Sequence, residues 1–280
     1  DSYPEAHLPY PQGQLSTMLI KKYLKLTKLE DLTIQWHRGV YEIPINSWGL
    51  LKRARFDCIL IGRKSHVDSI RKNGLFISGI DEFNVGIEVS CDPLDAKGSD
   101  LFIITTKAYD TKNAISEIIP IIKDNSIVMS LQNGAGNIEE ISRYIRNEKV
   151  IGAITSMGAF VEEPGKIQFR GKGTTIIGST VNENKEATQI KDIFNRAGIM
   201  ARLSNDIKRD IWSKVIINSA INTIASILDG ENGILLDENL MQIVKGVTTE
   251  GKAILQKEGI DISDDIFEDT VEVINNTSKN

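Results

Sequence analysis

The chain has 280 residues, 41% of them hydrophobic and 25% charged, enough for a sizeable core in one large or two modest domains. Its 33 lysines and arginines stand against 38 aspartates and glutamates, a net charge of −5 with no basic block or aromatic-basic interleaving, which argues against nucleic acid as a partner. Cys58, Cys91, His7, His37 and His66 show no metal or disulfide spacing and fit a reducing cytoplasmic setting, and no apolar run reaches the roughly 18 residues of a membrane span.

Residues 1–48 read differently from everything after them. Asp1–Gln14 is rich in proline and polar residues, and no apolar core or small-residue cleavage site marks a signal peptide. Met18–Leu29 has the pattern of a short basic amphipathic helix, whereas Thr33–Asn46 holds no sustained period. This segment reads as an extension without an assigned function.

From Gly49 onward strands and helices alternate. Leu50–Arg55 ends a helix, Phe56–Gly62 is a buried strand followed at once by Arg63-Lys64, and His66–Asn73 is a helix stopped by Asn73-Gly74. Leu75–Ser78 and Gly86–Ser90 are short strands. Asp100–Thr106 is a buried strand ending at Lys107, Asn113–Lys123 a helix, Ser126–Leu131 a strand ending in Gln132-Asn133-Gly134, Ile138–Ile145 a helix, and Val150–Ala153 a strand. Glycine-bounded alternation over Gly165–Gly178 predicts an antiparallel hairpin closing the sheet, and Asn184–Ala197 a helix. From Asp206 the strand signal disappears: Asp206–Leu228, Asp237–Glu258 and Asp264–Asn276 all read as helices. The expected fold is α/β, a Rossmann-like doubly wound sheet over 49–203 followed by an all-helical C-terminal domain over 204–280.

Within the first of those helices, Lys214, Asn218 and Asn222 recur every four residues, a cation and two amides in one drifting row. Most polar residues of the segment share that half of the helix, as on a solvated face, but Ile211, Trp212 and Val215 interrupt it. A row of this kind is either wet or set against a ligand, because burying such groups without partners costs several kcal/mol. In open parallel sheets ligands bind at the carboxyl ends of strands, where Arg63-Lys64, Lys107 and Asn133-Gly134 stand. Taken singly, each is also an ordinary charged loop or turn.

Together, Lys107-Ala-Tyr-Asp-Thr, Leu-Gln-Asn-Gly-Ala-Gly136, Gly158-Ala159, Gly165 to Gly178, Trp212-Ser-Lys214 with Asn218 and Asn222, and Glu231-Asn-Gly233 resemble the ketopantoate reductase family over about residues 49–280. The resemblance implies NADPH-dependent reduction of the 2-keto group of ketopantoate to pantoate, on the route to pantothenate and coenzyme A, in the cytoplasm. Lys214 would be the general acid, and Asn218, Asn222, Asn232 and Asn280 would hold the substrate. Arg63 and Lys64 would meet the 2′-phosphate, while Lys107, Asn133 and Ala159 would lie along the cofactor. The implied partner is a small 2-keto acid, with neither nucleic acid nor membrane, and a homodimer is compatible with it. A related 2-keto acid or imine reductase, or an inactive truncated remnant, are the alternatives. Two departures bear on activity: only Gly39 and Gly49 stand where the family carries a first strand and G-x-G-x-x-G turn, and the family's final substrate motif and Glu follow the position of Asn280. A central gap in the sheet and weak or absent turnover are therefore expected, since Pro44 suits no central strand.

Overall fold

The computed structural model describes residues 16–21, 33–38, 45–181 and 185–279. In chain order the elements are β1 (Ser16–Lys21), β2 (Thr33–Arg38), α1 (Ile45–Arg53), β3 (Asp57–Ile61), α2 (Lys64–Asn73), β4 (Leu75–Gly79), β5 (Phe83–Val85), β6 (Glu88–Ser90), β7 (Ser99–Ile104), α3 (Thr111–Ile118), β8 (Ile127–Ser130), α4 (Asn137–Ser142) and β9 (Val150–Thr155). There follow β10 (Gly158–Glu163), β11 (Lys166–Gly171), β12 (Thr175–Ser179), α5 (Lys185–Arg196), β13 (Ala201–Leu203), α6 (Ile207–Leu228), α7 (Glu238–Lys257) and α8 (Ile266–Asn276).

The main sheet has nine strands in the order β13-β12-β9-β8-β7-β1-β2-β3-β6, with β2 also bonded to β7 and β1 to β3. Six of them, β2, β3, β6, β7, β8 and β9, are linked by one run of parallel pairings, and numbered along the chain their spatial order is 3-2-1-4-5-6. That is the doubly wound order of dinucleotide-binding sheets, with the switch point between β2 and β7. The expected gap at the first strand is thus not found. Thr33–Arg38 takes that slot, runs parallel to β3 and β7, and ends six residues before Pro44. The expected helix over Met18–Leu29 is also corrected, because Ser16–Lys21 is a strand antiparallel to β2, β3 and β7; the remainder of that stretch lies outside the described residues. Alternating β-branched and long apolar residues in Ser-Thr-Met-Leu-Ile-Lys suit a strand beside an apolar sheet better than they suit one turn and a half of helix.

The central strands are apolar on both faces because both are covered. Leu101 and Ile103 of β7 and Ile127 and Met129 of β8 enter one core with α1, α2 and α5, while Phe102, Ile104 and Val128 enter a second with α3, α4 and Ile207. The predicted Gly165–Gly178 hairpin divides instead. Residues Gly158–Gly171 form the hairpin, β10 with β11, turning at Pro164-Gly165, and join β4 and β5 in a separate four-stranded sheet. Thr175–Ser179 returns to the main sheet antiparallel to β9. Pro164 with Gly165 (φ +81°) makes the reversal, so Gly165 lies in the turn and not at the outer boundary of the hairpin.

After β13 the chain is helical. α6 starts at Asp206, whose carboxylate accepts from the Arg209 amide at 3.0 Å. It packs through Ile216 against Leu255, Ile260 and Ile266, and through Ala220 and Ile221 against Leu235, Val244 and Ile274. At its first turn Ile207 rests on two paired glycines, Gly152 of β9 and Gly178 of β12. A Cβ on Gly178 would lie 2.9 Å from the Ile207 Cβ, so helix and sheet touch here at near backbone distance. α6 is long and apolar enough to span a membrane by length and composition, yet it is the helix on which both the sheet edge and the helical part pack.

Candidate active site

From the Gly152–Gly178 notch α6 runs alongside β9. Thr155 lies three residues beyond Gly152, about 10 Å along the strand; Lys214 lies seven residues beyond Ile207, about 10.5 Å along the helix. The matched distances bring the Lys214 Nζ to the end of β9, where it donates to the Thr155 carbonyl at 2.6 Å. It also donates to the Asn133 Oδ1 at 3.0 Å. Two of its three protons are thereby engaged, and the third is available to the cleft. Burial pulls the Lys214 ammonium down from 10.5 to about 8, so it remains mostly charged at neutral pH but is a far better acid than a free lysine.

The two acceptors are themselves held. The Thr155 hydroxyl accepts from the Thr175 hydroxyl and from the Met157 amide. Asn133 follows β8 in a turn with Gly134 (φ +89°) and Gly136 (φ +87°), a backbone that side chains with a Cβ rarely adopt. Beneath this turn the buried Gln132 Nε2 reaches Thr106 O, Thr106 Oγ1 and Thr111 Oγ1 at 2.8–2.9 Å, while its Oε1 accepts from Ser130. Asn137 accepts from the Thr111 hydroxyl and donates back to the carbonyls of Asn133 and Gly134. The loop after β7 and the loop after β8 are thus sewn together below Asn133.

A cleft of about 660 Å³ opens beside Lys214. Asn218 and Asn222 line it from α6, Val273 from α8 and Thr277 just past its end, Ile154 and Thr155 from β9, Ile176 from β12 and Arg202 from β13. The row read from the sequence faces this cleft, and not bulk solvent alone. In the turn after Asn133, Gly134 and Gly136 border open space, where an added Cβ would meet nothing within 4 Å. An ammonium seated on two fixed acceptors, with amides beside it and a strand-end groove next to it, suits protonation of an oxygen on a small polar substrate.

A family described as "Ketopantoate reductase PanE/ApbA" matches residues 47–182, and its C-terminal counterpart matches 206–280. A 2-dehydropantoate 2-reductase of Pyrococcus horikoshii is 37% identical over 234 residues, 83% of this chain and 76% of that protein. The chain belongs to the ketopantoate reductase family. A solved ketopantoate reductase of Ralstonia eutropha JMP134 superposes with a TM-score of 0.76 at 26% identity, covering 84% of this chain and 78% of the other. The same fold appears in a D-mandelate dehydrogenase bound to NADH and anilino(oxo)acetate, TM-score 0.74 at 23% identity over 83% and 75% of the two chains.

Against the family pattern, Lys214, Asn133, Asn218 and Asn222 come together at the cleft. The others stand apart from it. Arg63 stands at the N-cap position of α2, at the carboxyl end of β3, and lies near Asp110, whose carboxyl burial pushes up while an Asn113 hydrogen bond and the guanidinium pull back. Lys64 is exposed and pairs with Asp68 at 2.9 Å, so its ammonium is already engaged along its own helix. Lys107 is exposed where β7 ends, at the head of a single helical turn, Ala108–Asp110. Ala159 packs half-buried on the sheet core, and its neighbour Gly158 lines the cleft in its place. Asn232 donates to the Thr277 hydroxyl at 3.0 Å, behind the cleft wall, and Asn280 lies outside the described residues. Sequence reasoning missed the Thr155 carbonyl, which as a backbone group carries no signal, and Arg202, which sits on a three-residue strand too short to read.

Half-buried Arg63 and exposed Lys107, at the carboxyl ends of β3 and β7 on either side of β2, with the Asn133 amide and the open glycine turn, fit the charge and shape of a dinucleotide. The six residues joining β2 to α1, where a pyrophosphate cradle would stand, lie outside those described.

Proposed function

We propose that this chain reduces 2-dehydropantoate to pantoate in pantothenate and coenzyme A biosynthesis, with NADPH as cofactor, in the cytoplasm. The supporting observation is the Lys214 ammonium, held by Asn133 and Thr155 at the mouth of a cleft that Asn218 and Asn222 also line. NADPH, when bound, supplies the hydride. Lys214 donates a hydrogen bond to the keto oxygen, stabilises its developing negative charge, and delivers the proton that makes the hydroxyl. The Asn133 Oδ1 must face the ammonium, so its amide N–H groups point outward and are free to orient the carboxamide end of a nicotinamide. Arg63 favours NADPH over NADH because a guanidinium after this strand suits a 2′-phosphate, and Lys107 adds charge beyond the carboxyl end of β7.

Loss of nicotinamide absorbance with ketopantoate and enzyme tests the reading directly. Oxidation of NADPH that depends on the keto acid and disappears in Lys214→Ala, with NADPH binding retained, is the expected result. Turnover that survives the substitution contradicts it. The shared fold with a D-mandelate dehydrogenase favours testing aromatic and branched 2-keto acids beside ketopantoate.

A further inference from the structure

Three charged side chains line the cleft: Lys214, Asp210 and Arg202. Lys214 is assigned to the keto oxygen, and the Asp210 carboxylate accepts from the Ser204 hydroxyl at 2.5 Å. Arg202 has neither task. It lies at the middle of β13, in register with Ile176 of β12, which is in register with Ile154 of β9. All three line the cleft, so they form one row across one face of the sheet edge, opposite the α6 row of Lys214 and Asn218. The flanking Ala201 and Leu203 turn the other way and pack on the core. Arg202 is exposed, and among the described residues it forms no ion pair.

A 2-keto acid carries a carboxylate on the carbon next to the one reduced. If Lys214 engages the keto oxygen, that carboxylate needs a second partner. The amides of Asn218 and Asn222 are neutral, whereas a guanidinium matches a carboxylate in both charge and two-pronged geometry. An exposed arginine on an edge strand is otherwise simply a solvated charge. We infer that Arg202 anchors the substrate carboxylate and so makes the site selective for 2-keto acids over neutral ketones of the same shape. This rests on the reductase reading above.

The test compares ketopantoate with its lactone, which keeps the ketone but has lost the free carboxylate. Binding of each to the NADPH-loaded chain is measured by calorimetry, and turnover by NADPH oxidation, for the unaltered protein, Arg202→Gln and Arg202→Lys. Arg202→Gln should weaken ketopantoate binding and raise its KM about tenfold to a hundredfold. Its kcat should stay within about twofold, and the lactone should be unaffected. Arg202→Lys should recover part of the loss, and added salt should narrow the gap between unaltered protein and Arg202→Gln. Equal losses on acid and lactone, or no loss on the acid, would overturn the assignment. A chain that binds ketopantoate through Arg202 but oxidises no NADPH would instead refute the reductase reading and leave the anchor standing.

Discussion

The lowered pKa of Lys214 should be visible as a rate. At a pKa of about 8 the ammonium is roughly 90% charged at pH 7 and roughly 9% at pH 9, so reduction through it should fall about tenfold across that interval. At the ordinary value of 10.5 the same interval would cost only a few per cent. The assay is kcat/KM for ketopantoate at saturating NADPH, which reports ionisations before the keto acid binds. The oxidation of pantoate, which needs the free amine, should rise over the same range. Stability provides a second readout. Because the folded pKa lies below the unfolded one, the unfolded chain holds this proton longer, and the penalty of burying the ammonium is relieved between pH 8 and 10.5. Its contribution to folding stability therefore increases through that window, and Lys214→Met should abolish the increase. A reduction rate that is flat from pH 7 to 9 would refute the claim that burial sets the acidity of this group.

Gln132→Leu leaves the hydroxyls of Thr106 and Thr111 without their shared donor and should lower stability by about 2 kcal/mol or more, read as a denaturant midpoint. If the network seats Asn133, turnover should also fall at temperatures where the variant is fully folded; unchanged turnover there would reduce Gln132 to a packing role. Asp206→Ala removes the cap of α6 and should cost about 1 kcal/mol without changing the pH profile, which calorimetry and the rate assay together check. Arg63→Ala should erase most of the preference for NADPH over NADH, about tenfold in relative affinity, while leaving NADH binding as it was; a preference retained in full would place the 2′-phosphate elsewhere.

The doubly wound half was legible from Phe56 onward because its strands are apolar on both faces and its helices carry clear stops such as Asn73-Gly74. The Lys214 row was legible for a related reason: four-residue spacing survives in any helix, whatever it packs on. Thr33–Arg38 was not, since its polar–apolar alternation, Thr-Ile-Gln-Trp-His, is brief and unlike the continuous apolar run of a central parallel strand, and its place follows from the neighbours it joins. The division of residues 158–179 between two sheets was likewise hidden. Gly173 explains it locally: a Cβ there would lie 2.3 Å from the Ser156 carbonyl carbon, so the chain crosses against the end of β9 and must change sheets. Roles that depend on backbone carbonyls or on three-residue strands leave no pattern in side-chain types, which is why Thr155 and Arg202 emerged only in three dimensions.

The seat of Ile207 on Gly152 and Gly178 is the closest approach of α6 to the sheet, and so would be the fulcrum of any change in its tilt. Lys214 stands about 10.5 Å along α6 from that point and Asn222 about 22.5 Å. A 5° swing of the helix about the notch would move the first by about 0.9 Å and the second by about 2 Å. The ammonium would shift by less than half as much as the amide end of the row, so a change in helix tilt would alter the amides' positions more than the donor's. Bulk added at either glycine would shift the fulcrum itself, and with it the donor, from a position that touches no ligand.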